Sequence, residues 1–384
     1  MKKIAVDMSS LAHGSRAVSH CTACMVGELL KYKNMEFSLL YFDYKSQTQK
    51  HLGPLENHAT EKVIPIPYRL LIPAWRRLSW PYLEMIAPGC NLLYTNEFYF
   101  PPAKSSLVLA TIHGLAYRVI PEKISSKIIK SLNKGLSFIL KHADYLIAVS
   151  ETTKSELIKH LGLAPERIYV VTHGVNKKFR KQENQQEVRS RLINTHDLDR
   201  PYILYVGAIG IHKNIMGILS AYKTLSVKTS HHLVLAGPPD SAWNAAHRFV
   251  AEHNMRGEVH FLGYVDQDGN NLIDLYNGAD LFVFPSFYEG WTSPPLEAMA
   301  CGTPVITSNC SSLPETVGNA AIQVDPDNPK KLAHEMERVL SDQSLRNNLI
   351  TKGMKHAASH TWERGAAKLI NVFADIQARG PWKG

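Results

Sequence analysis

No run of apolar residues in this 384-residue chain approaches the roughly 18 to 20 that a membrane-crossing helix needs, which sets helical channels and pumps aside. The opening MKKIAVDMSS breaks off at Asp7, so no signal peptide is expected. Cysteine is scarce: Cys21, Cys24, Cys90, Cys301 and Cys310 are odd in number and scattered, as suits a reducing compartment. Cys21 and Cys24 form a C-x-x-C, but no second Cys or His pair stands at ligand spacing, and neither a metal nor a redox role is assigned. Acidic residues are short in one half only. Residues 1–180 hold 24 Lys and Arg against 13 Asp and Glu, the remainder 19 against 21, so the net charge of +9 belongs to the first half. Such a surface attracts an anionic partner, a membrane or a nucleic acid. No nucleic-acid motif is present, and nucleic-acid binding is not expected.

What is present is a series of short apolar runs separated by helical stretches. In the first half these are Ile4–Asp7, Phe37–Phe42, Val63-Ile64, Asn91–Tyr94, Leu107–Ile112, Tyr145–Val149 and Ile168–Val171. In the second they are Tyr202–Val206, His232–Ala236, Val259–Leu262, Leu281–Phe284, Pro304–Thr307 and Ala321–Val324. Runs of this length and spacing predict an α/β protein built from two parallel, doubly wound sheets, whose ligands gather at the carboxyl ends of the strands. Residues 1–180 are expected to form an N-terminal domain, 181–200 a polar linker, 201–360 a C-terminal domain, and 361–384 a helix that returns to the first. A capping box of Thr153 and Glu156 is expected to open a helix ending near Gly162.

The most informative stretch is FPSFYEGWTSPPLEAMACGTPVIT, Phe284 to Thr307. Glu289 and Glu297 stand eight positions apart, separated by Gly290-Trp291-Thr292-Ser293 and Pro294-Pro295. A buried strand, a tight loop and a proline-started helix predict an anion site at the helix N-terminus. This pattern closely resembles the E-x7-E signature of the retaining nucleotide-sugar glycosyltransferases of family 4, which have the GT-B fold of two Rossmann-like domains facing across a cleft. The resemblance implies that Glu289 lies against the donor sugar and that Glu297 holds the ribose. It brings Gly290, Trp291, Thr292 and Ser293 to the donor, although Thr292 and Ser293 stand where the family often has Gly and Leu.

Other segments extend the resemblance. Thr111-Ile112-His113 matches a family element whose His reaches the donor sugar, with Gly114 in place of the usual Asp. Gly207 followed by Lys213-Asn214 matches the element whose basic residue stabilises the leaving diphosphate, with Ala208 where an Arg is common. Phe261-Leu262-Gly263 matches a turn near the nucleotide base, which implicates Leu262. The loop after the first strand, Gly14-Ser15-Arg16-Ala17-Val18-Ser19, departs from the family's glycine-rich form, leaving Gly14 and Arg16 as phosphate contacts. Thr172-His173-Gly174-Val175 resembles the element that closes the first domain.

Together these features imply a retaining hexosyltransferase, with mannose from GDP-mannose as the first donor considered. Its acceptor is expected to be a glycan or a lipid-linked glycan in the synthesis of O-antigen, lipopolysaccharide or capsule. Glu289, His113 and Lys213 are the expected catalytic residues, and no metal or other cofactor is required. Three D-x-D strings, Asp197-Leu198-Asp199, Asp266-Gln267-Asp268 and Asp325-Pro326-Asp327, are read as polar turns. A sugar-nucleotide epimerase on the same fold and a non-catalytic nucleotide-sugar binder are the competing readings. Lys123, Lys127, Lys130, Lys134 and Lys141 fall within about 40° of one line on a helix of 100° per residue. With the aromatic and arginine-rich Tyr68–Trp80, that stripe supports loose attachment of a cytoplasmic protein to the anionic inner face of the plasma membrane.

Overall fold

The computed structural model describes residues 2–13, 16–42, 59–226, 229–266 and 269–382. The chain divides into two compact units. The first comprises Met1–Pro121, Ser125–Gly174 and Trp362–Gly384, and the second Glu122–Ile124 with Val175–Thr361.

The first unit carries β1 (Lys2–Asp7), β2 (Met35–Phe42), β3 (Ala59–Ile64), β4 (Leu92–Thr95), β5 (Leu107–Ile112), β6 (Tyr145–Ala148) and β7 (Ile168–Val170). They form one sheet in the order β3-β2-β1-β4-β5-β6-β7, parallel throughout, with Ile4 of β1 opposite Phe37 on one side and Leu92 on the other. Strands β4, β5 and β6 are buried along their whole length, as helices on both faces require. The edge strand β3 is different. Its Thr60, Glu61 and Lys62 are exposed, and charge there discourages pairing with another chain. The helix Trp362–Arg379 belongs to this unit and buries Ala366, Leu369, Val372, Phe373 and Ile376, the i, i+3, i+4 spacing of one apolar stripe.

The second unit carries β8 (Tyr202–Val206), β9 (His232–Ala236), β10 (Val259–Gly263), β11 (Leu281–Phe284), β12 (Val305–Ser308) and β13 (Ile322–Val324), in the order β10-β9-β8-β11-β12-β13. This sheet too is parallel throughout. Both units are therefore Rossmann-like, and all thirteen runs read as strands are strands, with ends shifted by a few residues at most except at β3.

Three expectations need correction. Residues 181–200 are not a linker: a helix, Gln185–His196, buries Val188 and Leu192 one turn apart, starts at the Asn184 cap and is held by Arg191, both of whose bonds to Asp274 are 2.7 Å. Charged residues outnumber the two apolar anchors and hide the period. The helix Glu151–Leu161 is capped by Ser150, whose Oγ accepts from Thr153 N at 2.9 Å, rather than by Thr153 and Glu156; it ends at Gly162 as expected. Lys123 lies in a 3-10 turn ahead of the helix Ser126–His142, outside the lysine stripe, and its Nζ is 3.7 Å from the centre of the Phe287 ring. Lys127, Lys130, Lys134 and Lys141 remain exposed on that helix.

The ends of β8 and β9 touch through backbone. A Cβ on Gly237 would lie 1.7 Å from the Gly207 carbonyl oxygen, and Gly207 itself has φ 153°. Gly237→Ala therefore lowers the melting temperature sharply or leaves no soluble protein, a cost of about 3 kcal/mol. Gly257→Ala, with nothing within 4 Å, is the control and stays close to the parent in the same thermal scan.

Candidate functional site

In the second unit the strand order reverses between β8 and β11, and the carboxyl ends of these two strands bring the resemblance residues together. After β8 the chain makes a tight turn through Gly207 and a 3-10 turn, Ile211–Lys213, closed by Asn214 at φ 59°. Asn214 is buried and its Nδ2 donates to the carbonyls of Pro285 (3.1 Å) and Pro326 (2.7 Å). The turn is thereby tied to the loop that follows β11, and Phe287 N donates to His212 O at 2.9 Å. These bonds hold Lys213 where its Nζ meets Glu289 Oε1 at 2.6 Å. Both side chains are largely buried, with 17% and 9% of their surface exposed. Burial lowers the pKa of neighbouring His212, and the Lys213 charge lowers it further.

Glu289 is fixed from behind. Its N–H donates to Ser311 Oγ at 2.8 Å, and its carbonyl accepts from the hydroxyls of Ser311 and, at 2.9 Å, Ser312. Gly290 and Thr292 are buried beside it, while Trp291 and Ser293 are half-buried and Trp291 Nε1 is a buried donor with no partner.

Glu297 sits in the first turn of the helix Pro294–Ala300. Burial pushes its carboxyl up to about 7, against hydrogen bonds from Tyr276 and Ser293 and the nearby charge of Lys178. The Tyr276 hydroxyl donates to Glu297 Oε2 at 2.8 Å. Here the expected anion site is corrected. The helix has seven residues, and Pro294 and Pro295 carry no N–H, so of its first three residues only Leu296 offers an amide. Positive charge at this switch point comes from Lys213 instead.

The remaining sequence-derived residues belong to other segments of the chain. Leu262 is in the edge strand β10, with β9 between it and β8, and packs against the hydrophobic core. Gly14 lies outside the described residues, and Arg16 opens the helix Arg16–Leu29 of the first unit. His113 also belongs to the first unit, following β5. Burial lowers it to about 4, opposed by its bond to the Asn96 backbone, so the ring is neutral at pH 7 and its buried Nε2 has no partner. His173 lies nearby, its ring centre 5.9 Å from that of His113; burial first, then the charges of His113 and His20, lower it to about 3. Gly114, which follows His113, has φ 133°, a conformation that an Asp would adopt only with strain.

Tyr276, Ser311, Ser312 and Asn214 do the holding, and only Asn214 carried a sequence signal. The others reach the glutamates from 21 to 23 residues away, with no local spacing to mark them.

The Glu297 shift has a consequence for stability. Between pH 4.5 and 7 the unfolded chain releases this proton before the folded one does, so stability falls as pH rises through that window and stays lower above it. Glu297→Gln keeps an acceptor for Tyr276 and removes the penalty, worth on the order of 3 kcal/mol. The variant melts higher than the parent at pH 8 and alongside it at pH 4.5; a melting difference that does not grow with pH contradicts this origin.

Comparison with known proteins agrees with the geometry. The family described as glycosyl transferases group 1 matches residues 186–356, and the one described as Glycosyltransferase Family 4 matches residues 33–179. O-antigen chain mannosyltransferase B of Escherichia coli is 30% identical over 313 residues, 80% of this chain and 78% of that protein. Serotype-specific mannosyltransferase WbdA of Escherichia coli is 29% identical over 249 residues, 64% of this chain but 30% of that much longer protein. Among solved structures, sucrose-phosphate synthase from Thermosynechococcus elongatus superimposes with a TM-score of 0.75 at 22% identity, covering 99% of this chain and 100% of that one. WaaG, described as a glycosyltransferase involved in lipopolysaccharide biosynthesis, does so with a TM-score of 0.70 at 15% identity, covering 96% and 99%. With both halves matched and a relative of this identity along most of its length, the chain belongs to the family 4 glycosyltransferases and has the GT-B fold.

Proposed function

We propose that this glycosyltransferase moves mannose from GDP-mannose to a glycan or lipid-linked acceptor during synthesis of a surface polysaccharide, with retention of anomeric configuration. The observation that carries the reading is the Lys213–Glu289 pair at the β8/β11 switch point, a buried cation beside a carboxylate where a parallel sheet binds its ligand. The choice of mannose rests on the names of the relatives, two of them mannosyltransferases of Escherichia coli.

Transfer from a nucleotide sugar leaves negative charge on a diphosphate and develops positive charge at the anomeric carbon. In this reading the diphosphate replaces Glu289 as the partner of Lys213. Glu289, released, accepts hydrogen bonds from the sugar hydroxyls, and Glu297 accepts from the ribose. His113 supplies a neutral imidazole for a sugar hydroxyl. Gly207, Gly290, Trp291, Thr292 and Ser293 form the backbone and walls around the donor. The scheme asks for no resident metal, because the lysine supplies the compensating charge.

Glu289→Gln reduces transfer from GDP-mannose by about 100-fold or more. It keeps the melting shift produced by GDP, since a ligand of the folded state stabilises it. Lys213→Met loses that shift. Near-normal turnover of the Glu289 variant refutes the assignment, and a β-linked product, read from the anomeric proton signal, refutes retention.

Attachment to a membrane surface belongs to the same proposal. No helix among the described residues is long and apolar enough to cross a membrane. Ile66, Leu70, Leu78, Trp80 and Met85 are nonetheless exposed within one short stretch, interleaved with exposed Arg69, Arg76 and Arg77. Exposed apolar residues interleaved with arginines fit the boundary of an anionic bilayer. The protein floats with phosphatidylglycerol vesicles in low salt and not with phosphatidylcholine alone, and Arg76→Glu with Arg77→Glu releases it; binding indifferent to lipid charge and salt overturns this part.

A further inference from the structure

The first unit has its own switch point. Its strand order reverses at β1/β4, and the residues at the carboxyl ends of those strands form a hydrogen-bonded network in which one group is left over. Asp7 ends β1. Its Oδ1 accepts from Ser9 N at 3.0 Å and from the Ser9 hydroxyl, and its Oδ2 from Thr95 Oγ1 at 3.0 Å. Thr95, which ends β4, also accepts from Glu97 N at 3.0 Å. Asn96 is held between Tyr94 OH and Thr22 Oγ1, at 3.1 and 3.0 Å. The chain leading into Glu97 is therefore fixed, while Glu97 Oε1 is buried without any hydrogen-bond partner.

A desolvated oxygen with nothing to bond to costs about 1 to 3 kcal/mol. A carboxyl that merely filled space would be replaced at lower cost by an amide or an aliphatic chain. At a switch point, the position where parallel sheets take their ligands, the missing partner has a natural source. We propose, resting on the glycosyltransferase reading above, that Glu97 recognises the acceptor, its carboxyl hydrogen-bonding the hydroxyls of the terminal hexose of a glycan.

The protonation state follows from the surroundings. Burial, then the charge of Asp7, push Glu97 up to about 8, so at neutral pH it is mostly a neutral acid able both to donate and to accept. Around it, Tyr68 from the helix Tyr68–Leu78 is raised well above 10 by burial and by Asp7 and Glu97, and its hydroxyl donates to Tyr99 O. Tyr99 is raised by burial against the charge of Arg76. Asp7 is raised by burial against the bonds from Ser9 and Thr95, and His113, bonded to the Asn96 backbone, is lowered to about 4. The Glu97 midpoint of about 8 lies inside the range from pH 7 to 9.5. Losing its proton removes a donor and places a negative charge beside buried Asp7, so acceptor affinity falls as pH rises.

The test is binding of octyl α-D-mannopyranoside to the full chain without donor, measured by ligand-observed NMR at pH 7.0 and 9.5. The dissociation constant rises by at least tenfold from pH 7.0 to 9.5 for the parent protein, and by less than twofold for Glu97→Gln, which keeps a donor and an acceptor but does not titrate. Glu97→Leu binds at least tenfold more weakly than the parent at pH 7.0. Parent affinity that does not change with pH, a Gln variant that keeps the parent's pH dependence, or the absence of any glycoside binding overturns the proposal. The parent's own pH dependence needs no variant to fold. The melting shift produced by GDP, which does not involve Glu97, reports separately on the donor reading: its absence with glycoside binding intact sinks that reading alone.

Discussion

Because every strand pair in both sheets is parallel, each strand must be followed by a return crossover, and all carboxyl ends of a sheet face the same way. Where the order reverses, at β1/β4 in one unit and β8/β11 in the other, successive crossovers go to opposite faces and the loops part. That constraint decides where polar side chains can collect without disturbing a core. It accounts for Asp7, Thr95 and Glu97 meeting although 88 residues separate the first two, and for Lys213 meeting Glu289 across 76. Backbone and hydroxyl bonds then fix what the topology has gathered: Asn214 ties one loop to the next, and two serines hold the Glu289 main chain.

Apolar runs made the architecture legible. Buried parallel strands are continuous in hydrophobicity, so β5, β8, β9 and β11 showed their limits in the sequence alone, whereas the edge strand β3 showed only Val63 and Ile64 because its other residues face solvent. The helix Gln185–His196 escaped for a related reason, since its core contact is two side chains wide. Glu289, Glu297 and Lys213 were legible through a motif; their supports were not, because Tyr276 reaches Glu297 only once two helices pack, and Ser311 reaches Glu289 only once β11 and β12 lie side by side. At one point the motif promises more than the backbone supplies. Two prolines start the helix Pro294–Ala300 cleanly, and the same two prolines strip it of the amides that would make its end an anion site. Glu97 gave no signal, since nothing in a sequence shows that a carboxylate will be buried without a partner.

If Lys213 and Glu289 bind the donor as proposed, their ion pair also bears on ligands that are not substrates. Each charge neutralises the other within 2.6 Å, so the unloaded site presents little net attraction to passing anions. An anion that takes the lysine strands a largely buried carboxylate, at a cost of about 3 to 5 kcal/mol unless new donors arrive with it. A sugar attached to the phosphate brings those donors as hydroxyls, whereas inorganic phosphate brings none of a sugar's array. On the proposed reading of the site, discrimination against abundant free phosphate is then a property of the empty enzyme, achieved by the counter-ion already in place.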